Sequence, residues 1–425
     1  MKIIKLYNEM NQLNERVKAK MDIPEDVLKF NKLFKNKNFK FYIVGGAVRD
    51  FLMGKKPHDF DLVTDAIPTE IVEVLKDYRT DIHGAKFGVV RVYTESEPLG
   101  YEVATYRRDI SKGRSNKGDD QKVEIGKHIT INDDVRRRDL TINALYYDLD
   151  TNEIVDTVGG IKDLNDNIIK AVGVPQKRFD EDRLRILRAL RVSAIIDGKI
   201  DKVTSDAIKK DNRLFGISEE DDVSRERIFK EFLAVKKASR DNQDPSIITR
   251  FFDLLVDYDI LRQIFPVLVI DKSINPTSYL SVALAQILRN NKPTEEFKQT
   301  LIDAKIPGRY VEMATFMIRI LRYGVKAEDV YEYYREMSSK DIRTDVIADW
   351  IKVMGISDPM VIGLLKYHPV ITGPDVMKDG FKGPEIGLEI KKREAKRYLD
   401  MVNGVKEDVK IVRYSDFLNE KFDDK

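Results

Sequence analysis

The chain contains no cysteine, four histidines (His58, His83, His128 and His368) and one tryptophan in 425 residues. Without thiols it has no disulfide partner, no thiolate metal site and no cysteine nucleophile. The histidines stand far apart in sequence, which argues against a multi-histidine metal centre. Long apolar runs are missing too: nothing approaches the ~18 residues of a membrane span. The N-terminal MKIIKLYNEMNQLNERVKAK is interrupted at once by Asn, Glu and Lys and has no small-residue cleavage site. A cytoplasmic protein with no membrane contact is the expectation. No charge sign dominates either, since 74 Lys+Arg face 72 Asp+Glu, a formal +2. Any case for an acidic partner therefore rests on where the charges sit.

What is present is a globular balance, 42% apolar and 34% charged residues, in a length that suggests about three domains. Up to residue 150 the pattern is mixed α/β. Short β-branched or aromatic runs occur at 41–44, 89–93, 101–105 and 154–156, with helix-like stretches near 47–53, 68–77 and 139–146. The stretch SKGRSNKGDD, residues 111–120, has no apolar residue and reads as a mobile loop. After Pro175 strand-like runs nearly vanish. Amphipathic segments follow one another at 181–197, 203–211, 224–238, 245–263, 277–290, 294–304, 309–323, 327–337 and 340–353.

Tyr42-Ile43-Val44-Gly45-Gly46-Ala47-Val48-Arg49-Asp50 reads as a strand, a Gly-Gly turn and the start of a helix. Such a turn lets backbone approach a ligand and offers free N–H groups to an anion, which Arg49 could also reach. It is neither GxGxxG nor a P-loop, so taken alone it reads better as a tight structural turn. Downstream, Pro57-His58-Asp59-Phe60-Asp61-Leu62-Val63 reads as a second strand, with Asp59 and Asp61 on one face and Phe60 and Leu62 toward the core. Two adjacent carboxylates repel unless a cation lies between them, and oxygen-only ligation beside phosphates suits Mg²⁺. Glu102, in the alternating 101–105 run, is the candidate third carboxylate; an edge-strand surface glutamate is the competing reading.

GGAVRDFLMGKKPHDFDLVT resembles the signature of class II nucleotidyltransferases, the tRNA CCA-adding enzymes and bacterial poly(A) polymerases. The resemblance implies a polymerase-β-like head, with Asp59 and Asp61 as metal ligands and Gly45, Gly46 and Arg49 on the triphosphate. Four further segments extend it. In Arg136-Arg137-Arg138-Asp139-Leu140-Thr141-Ile142-Asn143 three adjacent arginines call for a polyanion and Asp139 is placed to cap a helix. The resemblance gives Arg137, Arg138, Asp139 and Asn143 to the nucleotide and its ribose. Asp156-Thr157-Val158-Gly159-Gly160 permits a sharp reversal, and its family counterpart is a head–neck hinge. The run 178–191 reads as one helix in which Asp182 and Arg185, at i and i+3, would form a salt bridge on one face. The resemblance makes that pair a protein template for the incoming base, with Arg188 beside it. A carboxylate accepts from the amino group of cytosine or adenine, and a guanidinium donates to the ring nitrogen. Val192 stands where the family usually has Phe, so altered packing is expected there. Ser224-Arg225-Glu226-Arg227 matches the last head–neck motif and reads as packing, with Ser224 as an N-cap.

Near the C-terminus, 372–377 and 380–387 resemble the family's tail, two Gly/Pro-started helices followed by Lys391, Lys392 and Arg393, which would offer cations to RNA. The 107–138 stretch, with ten Lys/Arg against six Asp/Glu, is a second cationic region. The expectation is an α+β protein: a polymerase-β-like nucleotidyltransferase head (1–150) followed by an all-α neck (151–240), body (241–360) and tail (361–425). It would add CCA to tRNA 3′ ends from CTP and ATP by a two-metal mechanism, with Asp59, Asp61 and Glu102 catalytic. A poly(A) polymerase or a CC-only or A-only enzyme is the alternative, although His83-Gly84-Ala85-Lys86-Phe87-Gly88 looks more like the CCA-adding pattern. A non-catalytic tRNA-binding protein is disfavoured by the intact Asp59 and Asp61.

Overall fold

A computed structural model describes residues 16–57, 59–110, 123–215, 223–272 and 274–404. His58 and the 111–120 loop lie outside the described residues. The chain divides into two compact units, the first ending at Glu231 and the second beginning at Phe232.

The first unit carries, in chain order, β1 (Arg16–Lys18), α1 (Glu25–Asn36), β2 (Phe41–Val44), α2 (Gly46–Leu52), β3 (Asp61–Thr64), α3 (Pro68–Val74), β4 (Arg79–Asp81), β5 (Val89–Tyr93), β6 (Tyr101–Thr105), β7 (Arg107–Asp109), β8 (Val123–Ile125), α4 (Ile131–Arg136), β9 (Tyr146–Asp148), β10 (Glu153–Val155), α5 (Gly160–Asn165), β11 (Ile168–Ile169), α6 (Pro175–Glu181), α7 (Leu184–Ile196), β12 (Lys199–Ile200) and α8 (Lys202–Lys210). Eight strands form one mixed sheet in the order β1-β10-β9-β2-β3-β6-β5-β4. Every pairing in it is antiparallel except β3 with β6. Both faces are covered. Ile43, Leu62, Val103 and Tyr147 point into one apolar cluster with Phe30 and Phe34 of α1, Val48 of α2 and Ile71 of α3. Tyr42, Val44, Val63 and Tyr146 point into the other, with Val135 of α4. That double coverage explains why all four residues of β2 are buried and why its sequence does not alternate.

Three sequence expectations are corrected. The strand over 57–63 begins only at Asp61, because Val44↔Asp61 is the last pair before Gly45 turns β2's chain away; Asp59 precedes it in irregular backbone. The helix over 139–146 is absent. Leu140 makes a bridge to Ala171, residues 141–143 form one 3₁₀ turn, and Tyr146–Asp148 become β9 between β2 and β10. The two tyrosines suit a strand better than a helix. Third, the helix over 178–191 is broken: Asp182 is extended (φ −154°) and its Oδ1 accepts the Leu184 amide at 3.1 Å, a local bond that competes with helix continuation. Helix α1, which buries Val27, Phe30 and Phe34, falls in a stretch for which the sequence reading offered no element.

Helix α9 (Arg225–Asp241) spans the division between the units, and the second is helical: α10 (Ser246–Asp257), α11 (Leu261–Ile264), α12 (Leu280–Ile287), α13 (Glu295–Asp303), α14 (Gly308–Tyr323), α15 (Val330–Ser339), α16 (Thr344–Met354), α17 (Pro359–Gly363), α18 (Gly373–Lys378) and α19 (Pro384–Val402). All eight residues of α12 are buried, making it the centre of this unit, and Trp350 of α16 is buried with it. Glu394 of α19 has no exposed surface. Its Oε1 accepts the amides of Val370 and Ile371, both at 2.6 Å, and its Oε2 accepts from Tyr367 and Arg397 at 3.0 and 2.9 Å.

Candidate active site

Strand β2 delivers its chain to Gly45, whose φ of +80° puts it in the left-handed region that favours glycine. The Gly45 amide donates to Leu145 O at 3.3 Å, and a methyl at Gly45 would lie 3.6 Å from Asp61 Oδ2. The turn and the first residue of β3 are thus direct neighbours. Arg49, one turn into α2, is buried. Its Nη1 donates to Asn143 Oδ1 at 2.8 Å, and its Nε and Nη2 donate to Asp50 Oδ1 at 2.9 and 2.7 Å. It therefore ties the glycine turn to the 139–143 segment.

Asp61 and Glu102 emerge on the same sheet face, because the parallel register pairs Leu62 with Val103 and leaves the preceding residues side by side. Asp61 is open to solvent yet surrounded by protein, as a group on the floor of a cleft is. That desolvation, then the charges of Glu102 and Asp59, raise its carboxyl pKa against the opposing pull of Arg138 and Arg188. Glu102 is half exposed and ion-paired with Arg91, its cross-strand partner on β5. Among the described residues no three acidic or imidazole groups form a closed metal cage. The donor set fits a divalent cation whose remaining ligands come from substrate oxygens: the repulsion that Asp61 meets from its neighbouring carboxylates is relieved by such an ion.

Two arginines of the run, Arg137 and Arg138, share one anion inside the protein. Asp134 of α4 is fully buried; its Oδ1 takes Arg137 Nε at 2.8 Å and Nη2 at 2.7 Å, and its Oδ2 takes Arg138 Nη2 at 3.0 Å and the Tyr146 hydroxyl. Burial acts to raise the Asp134 carboxyl, but the two guanidiniums outweigh it and hold the pKa well below the usual range. Asp139 caps no helix. It is buried, its Oδ1 accepts the Leu140 amide, and its Oδ2 lies 2.9 Å from Arg188 Nε. Burial would raise its carboxyl too, and Arg188 and Arg185 overcome that to lower it.

Asp182 and Arg185 sit three residues apart at the start of α7, without the salt bridge between them that spacing suggests. Asp182 Oδ2 accepts from Arg227 at 2.7 Å. Arg185 Nη1 donates to Glu181 at 2.7 Å and to Arg178 O at 3.2 Å; Nη2 donates to Arg137 O at 2.9 Å and Asp109 at 3.3 Å. Arg191 Nε meets Glu231 at 2.6 Å. The Arg225–Arg227 segment is therefore electrostatic as well as packing, although Ser224 does accept the Arg227 amide as an N-cap. Val192 is buried in the sheet-facing cluster. Asp134, Arg227, Glu181, Asp109 and Glu231 are the residues that sequence reading missed. The one available signal was the Thr130/Asp133 capping box that opens α4 just before Asp134.

Asp156 Oδ1 accepts the amides of Val158, Gly159 and Gly160, and Oδ2 that of Ile161. Gly160 packs so tightly that an added Cβ would fall 2.2 Å from Thr141 O. In the second unit Lys391 pairs with Glu332, Lys392 lies 3.9 Å from Glu389, and Arg393 bonds Asp379 and Glu389 at 2.6 and 2.8 Å. That cationic run is thus matched by acids; Lys392 is its most exposed member.

Comparison with known proteins gives a consistent picture. The family described as the poly(A) polymerase head domain matches residues 41–170. Poly(A) polymerase I of Salmonella typhi is 31% identical over 278 residues, 64% of this chain and 56% of its own. The chain thus spans little more than half the length of the poly(A) polymerases it matches. The CCA-adding enzyme of Lactobacillus helveticus is 32% identical over 294 residues, 66% of this chain and 67% of its own. A crystal structure of the Bacillus stearothermophilus CCA-adding enzyme in complex with CTP superposes with a TM-score of 0.59, covering 91% of this chain and 94% of that one at 22% identity, a likeness of fold.

Proposed function

The chain belongs to the class II nucleotidyltransferase family of CCA-adding enzymes and bacterial poly(A) polymerases, and from that premise we propose that it adds CCA to tRNA 3′ ends from CTP and ATP. The observation that carries the reading is the Asp61 carboxylate, pressed against the Gly45 turn, with Glu102 and Asp59 close enough to raise its pKa. Asp59 and Asp61 would hold a divalent cation, Mg²⁺ by donor chemistry, with Glu102 as the third carboxylate of the cleft. In the two-metal form, one such ion would lower the pKa of the RNA 3′-hydroxyl and a second would neutralise triphosphate charge.

The protein's own groups supply position. With the Gly45 amide held by Leu145 O, the Gly46 amide is the turn's donor to the triphosphate. Because Arg49 occupies Asn143 Oδ1, Asn143 has only its NH₂ to offer, which suits a ribose hydroxyl. Arg137 and Arg138, held by Asp134, and Arg188, held by Asp139, keep positive charge beside the cleft without mutual repulsion deciding their places. Asp182, oriented by Arg227, accepts from the amino group of cytosine or adenine. Arg185 donates to the ring nitrogen, the base displacing the 3.3 Å Asp109 contact, its longest. Lys391, Lys392 and Arg393 contribute to RNA contact, Lys392 first. A cytoplasmic location is part of the proposal; among the described residues no helix is long and apolar enough to cross a membrane.

Poly(A) polymerase is the second reading, favoured by the 31% identity to that enzyme; the larger share of the CCA-adding relative that the chain covers weighs against it. One assay separates them. The protein is incubated with Mg²⁺, CTP, ATP and a tRNA lacking its 3′ end, and the product is sequenced. Three added nucleotides ending in A support CCA addition, whereas long A tails refute it. Full incorporation by Asp61→Asn would overturn the metal assignment, and undiminished rejection of UTP and GTP by Asp182→Ala would overturn the template assignment.

A further inference from the structure

Outside this cleft the first unit has an open recess of about 680 Å³, lined by Lys20, Pro24, Phe51, Lys55, Lys56 and Phe60 among others. That volume is in the range of sites that hold a nucleotide-sized group. Its walls come from three places: the chain entering α1, the C-terminal end of α2, and the residues Lys55, Lys56, Pro57 and Phe60 that precede Asp61. Gly54, with φ +75° and nothing within 4 Å of an added Cβ, turns the chain out of α2 and throws Lys55 and Lys56 onto the rim. Asp22 is the one acid on the lining, so three lysines face a single carboxylate.

We propose that this recess holds the RNA strand upstream of its 3′ terminus, its phosphates on Lys20, Lys55 and Lys56 and a base against Phe51 and Phe60. The inference rests on the nucleotidyltransferase reading and adds a binding site to it. Charge selects a polyanion, and apolar rings beside cations are the combination that binds single-stranded nucleic acid. Continuity selects the RNA rather than the incoming nucleotide. Phe51 of the recess lies five residues along α2 from Gly46, where the triphosphate lies in the proposed site, a rise of about 8 Å. Phe60 of the lining stands between Asp59 and Asp61 in the chain, so a strand whose end reaches those two carboxylates lies along the recess.

The test uses the full-length protein and a labelled tRNA lacking its 3′ end, with affinity measured by fluorescence anisotropy across a salt series, alongside steady-state incorporation. Lys20→Ala/Lys55→Ala/Lys56→Ala should weaken RNA binding about tenfold near 0.1 M salt and lower the slope of log K against log salt by about 1 per lysine. The same change should raise KM for RNA and not KM for CTP. Asp22→Lys should tighten binding and steepen the slope. Unchanged affinity and slope in both variants overturn the proposal, as does an effect confined to KM for CTP. Lys32→Ala, on the exposed side of α1, serves as the control. If the unaltered protein incorporates no nucleotide, the function fails; the binding data still decide the recess, since they require no turnover.

Discussion

Removing the Asp134 carboxylate should unfold the first unit more readily than any other single change at the cleft. Asp134 is wholly buried and serves two guanidiniums and the Tyr146 hydroxyl at once. Asp134→Ala leaves Arg137 and Arg138 side by side without their counter-charge, a loss of about 3–5 kcal/mol by analogy with broken buried ion pairs. Asp134→Asn keeps the volume but turns an NH₂ toward one guanidinium, so a loss near 3 kcal/mol is expected. The assay must report on the right unit. The only tryptophan, Trp350, lies in the second unit, so its fluorescence follows that unit. Urea unfolding of the first unit is instead followed by hydrogen exchange in peptides covering β2 and β9. The pH dependence has a definite sign. The folded-state carboxyl is depressed, so its contribution is intact above the unfolded value near ~3.9 and is lost as pH falls through the folded value below it. The gap between the unaltered protein and Asp134→Asn should therefore narrow below about pH 4. A gap under about 1 kcal/mol at pH 7, or one that widens in acid, would refute the reasoning.

Gly160→Ala drives a Cβ to within 2.2 Å of the Thr141 carbonyl, an atom that cannot swing aside; about 3 kcal/mol is expected, seen in calorimetry as a fall in Tm of about 6–12 °C for the first unit. Asp156→Ala leaves four backbone amides without their acceptor and should lose about 2 kcal/mol, with faster amide exchange at 158–161 as the local signature. In the second unit Glu394→Gln can accept with only one oxygen where four donors now converge. A loss of about 3 kcal/mol should appear as a lower urea midpoint in Trp350 fluorescence.

The legible parts of the molecule were those with local signals. The runs at 41–44, 89–93 and 101–105 are strands because each is dense in β-branched or aromatic residues, and the amphipathic segments after Pro175 are helices. Period-two alternation sets which face Glu102 takes, but that its strand lies beside the one beginning at Asp61 is a long-range pairing that no local pattern shows. What sequence could not show was the identity of distant partners. Asp182 meets Arg227 across 45 positions and Arg185 meets Asp109 across 76, so local spacing wrongly paired Asp182 with Arg185. The arginine run illustrates the same limit. Three cations in a row imply an anion, but nothing local says that the anion is Asp134, one turn upstream and buried, rather than a ligand.

Among the described residues strand β1 pairs only with β10, whose residues lie well over a hundred positions further along the chain. During synthesis this strand therefore waits for its partner, on the order of ten seconds at ribosomal speed. In that interval it offers open backbone to any passing strand. Within the described residues its sequence sets Arg16 and Lys18 on either side of Val17, and charged edges pair poorly with strangers. A version with apolar residues at both positions would leave the backbone pairing unchanged, yet it should aggregate on the way there.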